Sequence, residues 1–209
     1  VIYQKSVGFL DLENNLKSDK NTKYRVGSIS KMFTAVLVFQ AVQEGKLKLD
    51  DKLSSYFPSV KNAKNISIDN LLNHRSGIHN FTNNPDYLSW AGLPKSEAEL
   101  VEIISKGGSD FEPNSKAEYS NSNYVLLTFI LEKMFKSDYS TLIKQRISKP
   151  LGLENTYVGS TIDPPNGEAL SYKLINGKWQ KDLETAMSVP RGAGSMVSTP
   201  SELNKFIEA

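Results

Sequence analysis

The sequence contains no cysteine and only two histidines. Without thiols, the chain has no disulfides, no thiol chemistry and no thiolate metal sites. The two histidines, His74 and His79, are five residues apart, and without cysteine they form a weak pattern for zinc. No metal site is therefore expected, and His74 is expected to be packed or hydrogen-bonded within a structural turn.

Long apolar runs and an excess of one charge are also missing. No apolar stretch approaches the roughly 20 residues that a helix needs to cross a bilayer. The 25 basic and 23 acidic side chains leave a net charge of only +2, and the lysines are scattered singly, so nucleic acid is not expected as a partner. The patterns Gly-x-Ser-x-Gly and Gly-x-x-x-x-Gly-Lys-Ser/Thr do not occur, so an α/β-hydrolase elbow and a nucleotide P-loop find no support.

Both ends of the sequence suggest an excerpt from a longer polypeptide. Val1 is not an initiator methionine, and residues 1–3 read as the middle of a strand. Near the other end, Thr199 as N-cap, Pro200 at the first helical position and Glu202 completing a capping box predict the start of a helix. That helix reaches Ala209 without a stop signal.

The periodicity of apolar residues predicts an α+β fold. Strand character over 1–11 is followed by a helix over 28–44 that is apolar almost all round and is therefore expected to be buried. Asn176-Gly177 predicts a hairpin turn between strands at 171–174 and 178–180. Helical patterns fill the middle of the chain, which favours α+β over alternating βαβ units. These further helices are expected at 69–74, 96–105, 121–135 and 139–148, the last of them stopped by Pro150.

Ser28-Ile29-Ser30-Lys31 is the first candidate for chemistry. Residues three apart share a face of a helix, so the Ser28 hydroxyl and the Lys31 amine can meet. Serine in the first turn lies beside free backbone N–H groups, which favour a developing oxyanion. Burial would lower the pKa of the lysine and let it act as a base. Serine and lysine are so frequent here that this spacing is also expected by chance.

Tyr119-Ser120-Asn121 is the second candidate. A phenol near a lysine can shuttle protons, and a carboxamide can grip a substrate amide through both its donor and its acceptor. The alternative is a structural turn, in which Tyr119 packs on the core and Asn121 caps the next helix. Tyr87 and Trp90 leave a similar choice open, between lining a substrate pocket and ordinary aromatic packing.

The surrounding residues carry a family resemblance. The stretch 27–35, which holds Ser28 and Lys31, resembles the nucleophile motif of the serine β-lactamase and D-alanyl-D-alanine carboxypeptidase family, in its class C-like branch. Other landmarks of that branch follow in the same order and cover nearly the whole chain. They are the turn at 71–78, the second motif and its helix at 111–113 and 119–127, and the segments 150–156 and 192–199.

The resemblance implies a fold, an activity and roles for the candidate residues. The fold would be the β-lactamase/transpeptidase-like α+β fold, an antiparallel sheet flanked by helices with a helical lobe, as a single domain over 1–209. Ser28 would be acylated with help from Lys31 and Tyr119, Asn121 would hold the substrate amide, and water would cleave the acyl-enzyme. No cofactor is implied. A cell-wall D-alanyl peptide, a β-lactam and an ester all remain open as substrates, in the periplasm or outside the cell.

Two departures from the family pattern matter. Asn114 stands where the family usually has glycine, and the Lys/His-Thr/Ser-Gly strand that forms the other wall of the cleft is absent from the sequence. The domain is expected to lack its first N-terminal elements, because the sequence opens in mid-strand, and its C-terminal strands, because this motif is absent. Half of the oxyanion hole would be missing with them, and the loss of one such donor costs about 10²–10³ in rate. A non-catalytic member or a fragment with a binding or structural role is the alternative.

Overall fold

A computed structural model describes residues 3–209. The helices in chain order are α1 (Ser30–Gln43), α2 (Ile68–Leu72), α3 (Tyr87–Trp90), α4 (Glu97–Gly107), α5 (Asn121–Phe135), α6 (Tyr139–Ile143), α7 (Lys149–Leu151) and α8 (Pro200–Glu208). The strands are β1 (Phe9–Asp11), β2 (Leu16–Lys17), β3 (Tyr24–Arg25), β4 (Tyr157–Val158), β5 (Tyr172–Ile175), β6 (Lys178–Lys181) and β7 (Met196–Ser198).

All strand pairs between these elements are antiparallel, which confirms the α+β fold. β7 lies between β3 and β4, with Val197 opposite both Arg25 and Tyr157. β1 pairs with β2, and β5 pairs with β6 across the expected Asn176-Gly177 turn. The strand expected over 1–11 is found only as β1, and residues 1 and 2 lie outside the described part of the chain.

The core is built around α1 and α5. Phe33 and Leu37 of α1 and Val125 and Phe129 of α5 are fully buried. The expectation that α1 is buried on all sides is wrong, because Phe39 is 53% exposed and Met32 and Ile29 are exposed to nearly the same degree. α1 is therefore buried on one side only, against α5, the 192–193 segment and Phe206 of α8, and several apolar side chains on its other side stay exposed.

The helical segment near Pro150 also differs from the prediction. α6 ends at Ile143, a π-helical turn follows at Lys144–Ser148, and the chain continues into α7 rather than stopping before proline. Pro150 is accommodated because it stands in the first turn of α7, where a backbone N–H is not required. Gly152, with a left-handed φ of 59°, ends the segment.

α8 begins as expected but its capping box is not formed. The Thr199 hydroxyl accepts a hydrogen bond from Glu202 N at 3.3 Å, as an N-cap should. The Glu202 carboxylate does not return to Thr199. It accepts hydrogen bonds from Asn155 N at 2.9 Å and from the Thr156 hydroxyl, so it ties α8 to the segment that leads into β4.

Candidate active site

Ser28 lies in a short 3₁₀ turn, Gly27–Ile29, between β3 and α1. Gly27 has a φ of 52°, a left-handed conformation that lets the chain turn from the strand into the helix. Two hydrogen bonds hold this turn against β7: Val26 N donates to Met196 O at 3.0 Å, and Met196 N donates to the Ser30 hydroxyl at 2.9 Å. These bonds fix the backbone on both sides of Ser28, and Ser28 itself is exposed.

Lys31 stands one turn further along and is only 7% exposed. Its ammonium group donates to three acceptors: Ser28 Oγ at 3.2 Å, Asn121 Oδ1 at 2.8 Å and Ala193 O at 2.7 Å. Burial lowers the pKa of Lys31 to about 8, because the charged form loses its hydration. The sequence-based expectation of a buried lysine with a lowered pKa is met.

The partners of Lys31 also set the direction of its lone pair. A neutral amine keeps two hydrogens, and the Ala193 carbonyl and Asn121 Oδ1 can act only as acceptors. These two acceptors take the two hydrogens of the neutral amine, so the lone pair of Lys31 Nζ faces Ser28 Oγ. The arrangement thus suits Lys31 to accept a proton from the serine.

Asn121 is oriented by a short chain of hydrogen bonds. The Thr82 hydroxyl donates to Asn80 Oδ1 at 3.0 Å, so its oxygen is left to accept from Asn121 Nδ2 at 3.0 Å. That contact directs Asn121 Oδ1 at Lys31. Asn121 does not cap α5, because Ser120 occupies the N-cap position without a side-chain bond. The capping alternative is therefore not what the structure contains.

Tyr119 completes the cluster from a position 91 residues beyond Ser28. Its hydroxyl lies 2.6 Å from Ser28 Oγ and 3.3 Å from Asn121 Oδ1, and Lys31 Nζ lies 4.7 Å from the centre of its ring. At 47% exposure it does not pack into the core. The structure therefore brings together all four residues that the sequence singled out.

A cavity of about 340 Å³ opens beside this cluster, with Ser28, Thr82 and Asn121 on its wall. Tyr87 also lines it, while Trp90 packs against Phe81 and Tyr87. The opposite wall belongs to β3 and to the segment after β6, where Arg25 is paired with Glu184.

Sequence reasoning missed two contributors to this site. Thr82 orients Asn121, and the Ala193 backbone carbonyl holds Lys31. The segment 192–199 stood out as a landmark, but a carbonyl oxygen has no signature in residue type. Thr82 could have been suspected only from its place close after the turn motif at 71–78.

The two histidines make ordinary hydrogen bonds. His74 Nδ1 lies 3.2 Å from Ser120 N, and His79 contacts Asp110 at 2.9 Å and Asn84 at 3.2 Å. Over residues 3–209 no three His, Asp or Glu side chains are grouped to hold a metal ion. In that same stretch no helix has the length and apolar character required to cross a membrane.

Comparison with known proteins gives consistent matches. The family model described as Beta-lactamase matches residues 1–209. Teichoic acid D-alanine hydrolase of Staphylococcus aureus is 28% identical over 211 residues, covering 97% of this chain and 49% of that protein. The chain thus spans about half the length of the curated relatives it matches.

Solved structures agree with this match. D-amino acid amidase from Ochrobactrum anthropi SV3 superposes with a TM-score of 0.83 at 29% identity, over 97% of this chain and 60% of the amidase. A penicillin binding protein from Bacillus halodurans reaches a TM-score of 0.86 at 22% identity, over 98% of this chain and 64% of that one, which is a likeness of fold. The β-lactamase/transpeptidase-like fold expected from the sequence is confirmed.

Proposed function

This chain belongs to the β-lactamase family, and on that premise we propose that it carries the nucleophile of a serine hydrolase that works through an acyl-enzyme on Ser28. The observation that carries the proposal is the position of Ser28 Oγ, 2.6 Å from the Tyr119 hydroxyl and 3.2 Å from Lys31 Nζ. Nucleophilic serine needs an adjacent base, and both candidate bases are within hydrogen-bonding reach.

Lys31 supplies the base at ordinary pH. With a pKa of about 8, about a tenth of the amine is neutral at pH 7. A lysine with its ordinary pKa would be neutral in only about one molecule in a few thousand at that pH. The lowered pKa therefore makes the neutral amine of Lys31 available as a base.

The proposed reaction has an acylation half and a deacylation half. The Ser28 proton passes to Lys31, directly or through the Tyr119 hydroxyl, while Oγ bonds to the acyl carbon and the carbonyl oxygen becomes an oxyanion. The bond between the acyl carbon and the leaving group then breaks, and Tyr119 or Lys31 gives a proton to the leaving group. Water attacks the ester carbon in the second half, releasing the acid and restoring the Ser28 hydroxyl.

For the substrate we propose a D-amino acyl ester or amide. Two similar proteins carry a D-amino acid in their names, the teichoic acid D-alanine hydrolase and the D-amino acid amidase. A cavity of about 340 Å³ lies at the small end of ligand pockets and suits a short acyl group. Teichoic acid belongs to the cell envelope, so the proposed place of action is outside the cytoplasm.

Covalent labelling of the full-length protein tests the nucleophile. A fluorophosphonate probe should modify the wild-type protein at one residue, and Ser28→Ala should abolish the adduct while the circular dichroism spectrum is kept. Ser59→Ala, which removes a serine outside the cavity, is the matched control and should label normally. Equal labelling of Ser28→Ala would refute Ser28 as the nucleophile, and no labelling of the wild type would support a non-catalytic binding role.

A second measurement addresses the substrate class. D-alanine and L-alanine methyl esters and D-alanine p-nitroanilide are compared with a penicillin by their kcat/KM values. The proposal expects turnover of the D-alanyl compounds in preference to the L-ester. Faster turnover of penicillin would reassign the substrate while leaving the role of Ser28 intact.

A further inference from the structure

His74 lies in the turn after α2, beside the segment that carries Tyr119 and Asn121. Its φ is 59°, a left-handed conformation that a residue with a β-carbon adopts only when its surroundings enforce it. The His74 carbonyl accepts a hydrogen bond from Glu118 N at 2.9 Å, and its ring lies against Tyr119 with the ring centres 4.7 Å apart. This backbone conformation thus places the imidazole against the ring of Tyr119.

The hydrogen bonds of the ring fix its tautomer. Ser120 N, which can only donate, lies 3.2 Å from His74 Nδ1. Asn123 Nδ2 approaches the same nitrogen at 3.3 Å. The orientation of the Asn123 amide is set by Ser76, whose hydroxyl accepts from Ile78 N at 3.1 Å and donates to Asn123 Oδ1 at 2.7 Å. His74 Nδ1 therefore carries no proton, and the neutral ring holds its hydrogen on Nε2.

We propose that His74 is a positioning residue: its unprotonated Nδ1 holds the backbone between Tyr119 and Asn121 in place. Those two side chains are then kept in contact with Ser28 and Lys31. This inference rests on the proposed function, since it assigns His74 a part in the acylation of Ser28. His74 itself does not touch the reacting atoms.

Protonation of His74 would dismantle this arrangement. A proton on Nδ1 would face two donors, so both hydrogen bonds would be lost together. The ionisable groups that face the ring are Lys31 from α1, Tyr119 from the loop and Tyr124 from α5, whose ring centre is 5.3 Å away. Burial, and then the charge of Lys31, lower the pKa of His74 and keep the ring neutral.

The side chains that flank this turn point elsewhere. Arg75 Nη1 donates to Asn114 O at 3.5 Å, and the Glu118 carboxylate pairs with Lys116 at 2.7 Å. Arg75 has no carboxylate and that of Glu118 is paired with Lys116, so neither residue would stabilise an imidazolium at His74. As the pH falls, Lys31 is protonated first and His74 second.

Two substitutions separate the acceptor from the ring. His74→Asn keeps an acceptor, because Oδ1 is bonded to Cγ as Nδ1 is, and asparagine tolerates positive φ. Its rate of labelling by the fluorophosphonate probe at pH 8 should stay within about threefold of wild type, as one hydrogen bond is exchanged for another. His74→Phe keeps the ring and loses the acceptor, and its labelling should be about 10–100-fold slower, the range that small misplacements of catalytic groups produce.

The pH profile gives a readout that simple packing would not change. The second-order labelling rate of the wild type should fall about tenfold per pH unit below the pKa of Lys31, then more steeply once His74 also takes up a proton. In His74→Asn the steeper part should disappear. His79→Asn, which removes the other imidazole, is the control and should keep it.

A His74→Phe protein that labels at the wild-type rate, two variants that are slowed equally, or a steeper limb that persists in His74→Asn would each overturn the proposal. The ¹⁵N chemical shifts of the wild-type imidazole provide a test that does not depend on activity or on the folding of a variant. Chemical shifts that place a proton on His74 Nδ1 would refute the positioning role of His74. Failure of the wild-type protein to label at Ser28 would refute the proposed function instead.

Discussion

The pKa of Lys31 makes a quantitative prediction about the pH dependence of acylation. If the neutral amine is the base, the rate follows its neutral fraction, which is about a tenth at pH 7, half at pH 8 and nine tenths at pH 9 for a pKa of about 8. Labelling by the probe should therefore accelerate about fivefold from pH 7 to 8 and less than about twofold from pH 8 to 9.

Lys31→Arg is the matched perturbation. A guanidinium stays charged across this range and cannot accept a proton, so labelling should fall by about 10²–10⁴ and lose its inflection near pH 8. Second-order rate constants from intact-protein mass spectrometry between pH 6 and 10 provide the measurement, with circular dichroism at each pH as the check on folding. A wild-type rate that climbs about tenfold per pH unit to pH 10, as a lysine of ordinary pKa would give, would refute the reasoning.

Two further predictions concern groups that support the site. Gly192→Ala would put a β-carbon 2.4 Å from both the Thr34 and the Thr128 hydroxyl oxygens in a buried position, and urea denaturation should show a loss of about 1–3 kcal/mol in the free energy of unfolding; an unchanged midpoint would contradict this packing. Thr82→Val removes the acceptor of Asn121 Nδ2 at nearly constant volume, and labelling should slow up to about tenfold, the effect of one hydrogen bond. Thr82→Ser keeps the hydroxyl and should label almost normally, and equal slowing of both variants would exclude the hydrogen bond as the cause.

Where the fold follows local rules, the sequence was sufficient to predict it. α2 and α4 begin after Ser67 and Ser96, whose hydroxyls accept from the backbone three residues on, and their bounds lie within two residues of those predicted. β3 and β4 are only two residues long, which is too short to show any periodicity. They exist because β7 pairs with both, and that pairing is a property of the folded chain.

The candidate site divides in the same way. Helical spacing alone places Ser28 next to Lys31, because residues three apart share a face. The approach of Tyr119 across 91 residues was expected only through a family resemblance, since no local rule predicts it. The part played by the Ala193 carbonyl could not be predicted at all, because every residue carries the same group.

The hydrogen bonds that join Val26, Ser30 and Lys31 to residues 193–196 have a consequence for when this protein becomes reactive. Lys31 reaches its third acceptor 162 residues away, and Ser30 is bonded to a backbone N–H 166 residues away. A chain still emerging from the ribosome, or one in which this stretch has locally detached, exposes the lysine to water and returns it to its charged state. Ser28 then has no neutral amine beside it and reacts as an ordinary alcohol. Ser28 is therefore expected to become reactive only after residues 193–196 have docked against α1.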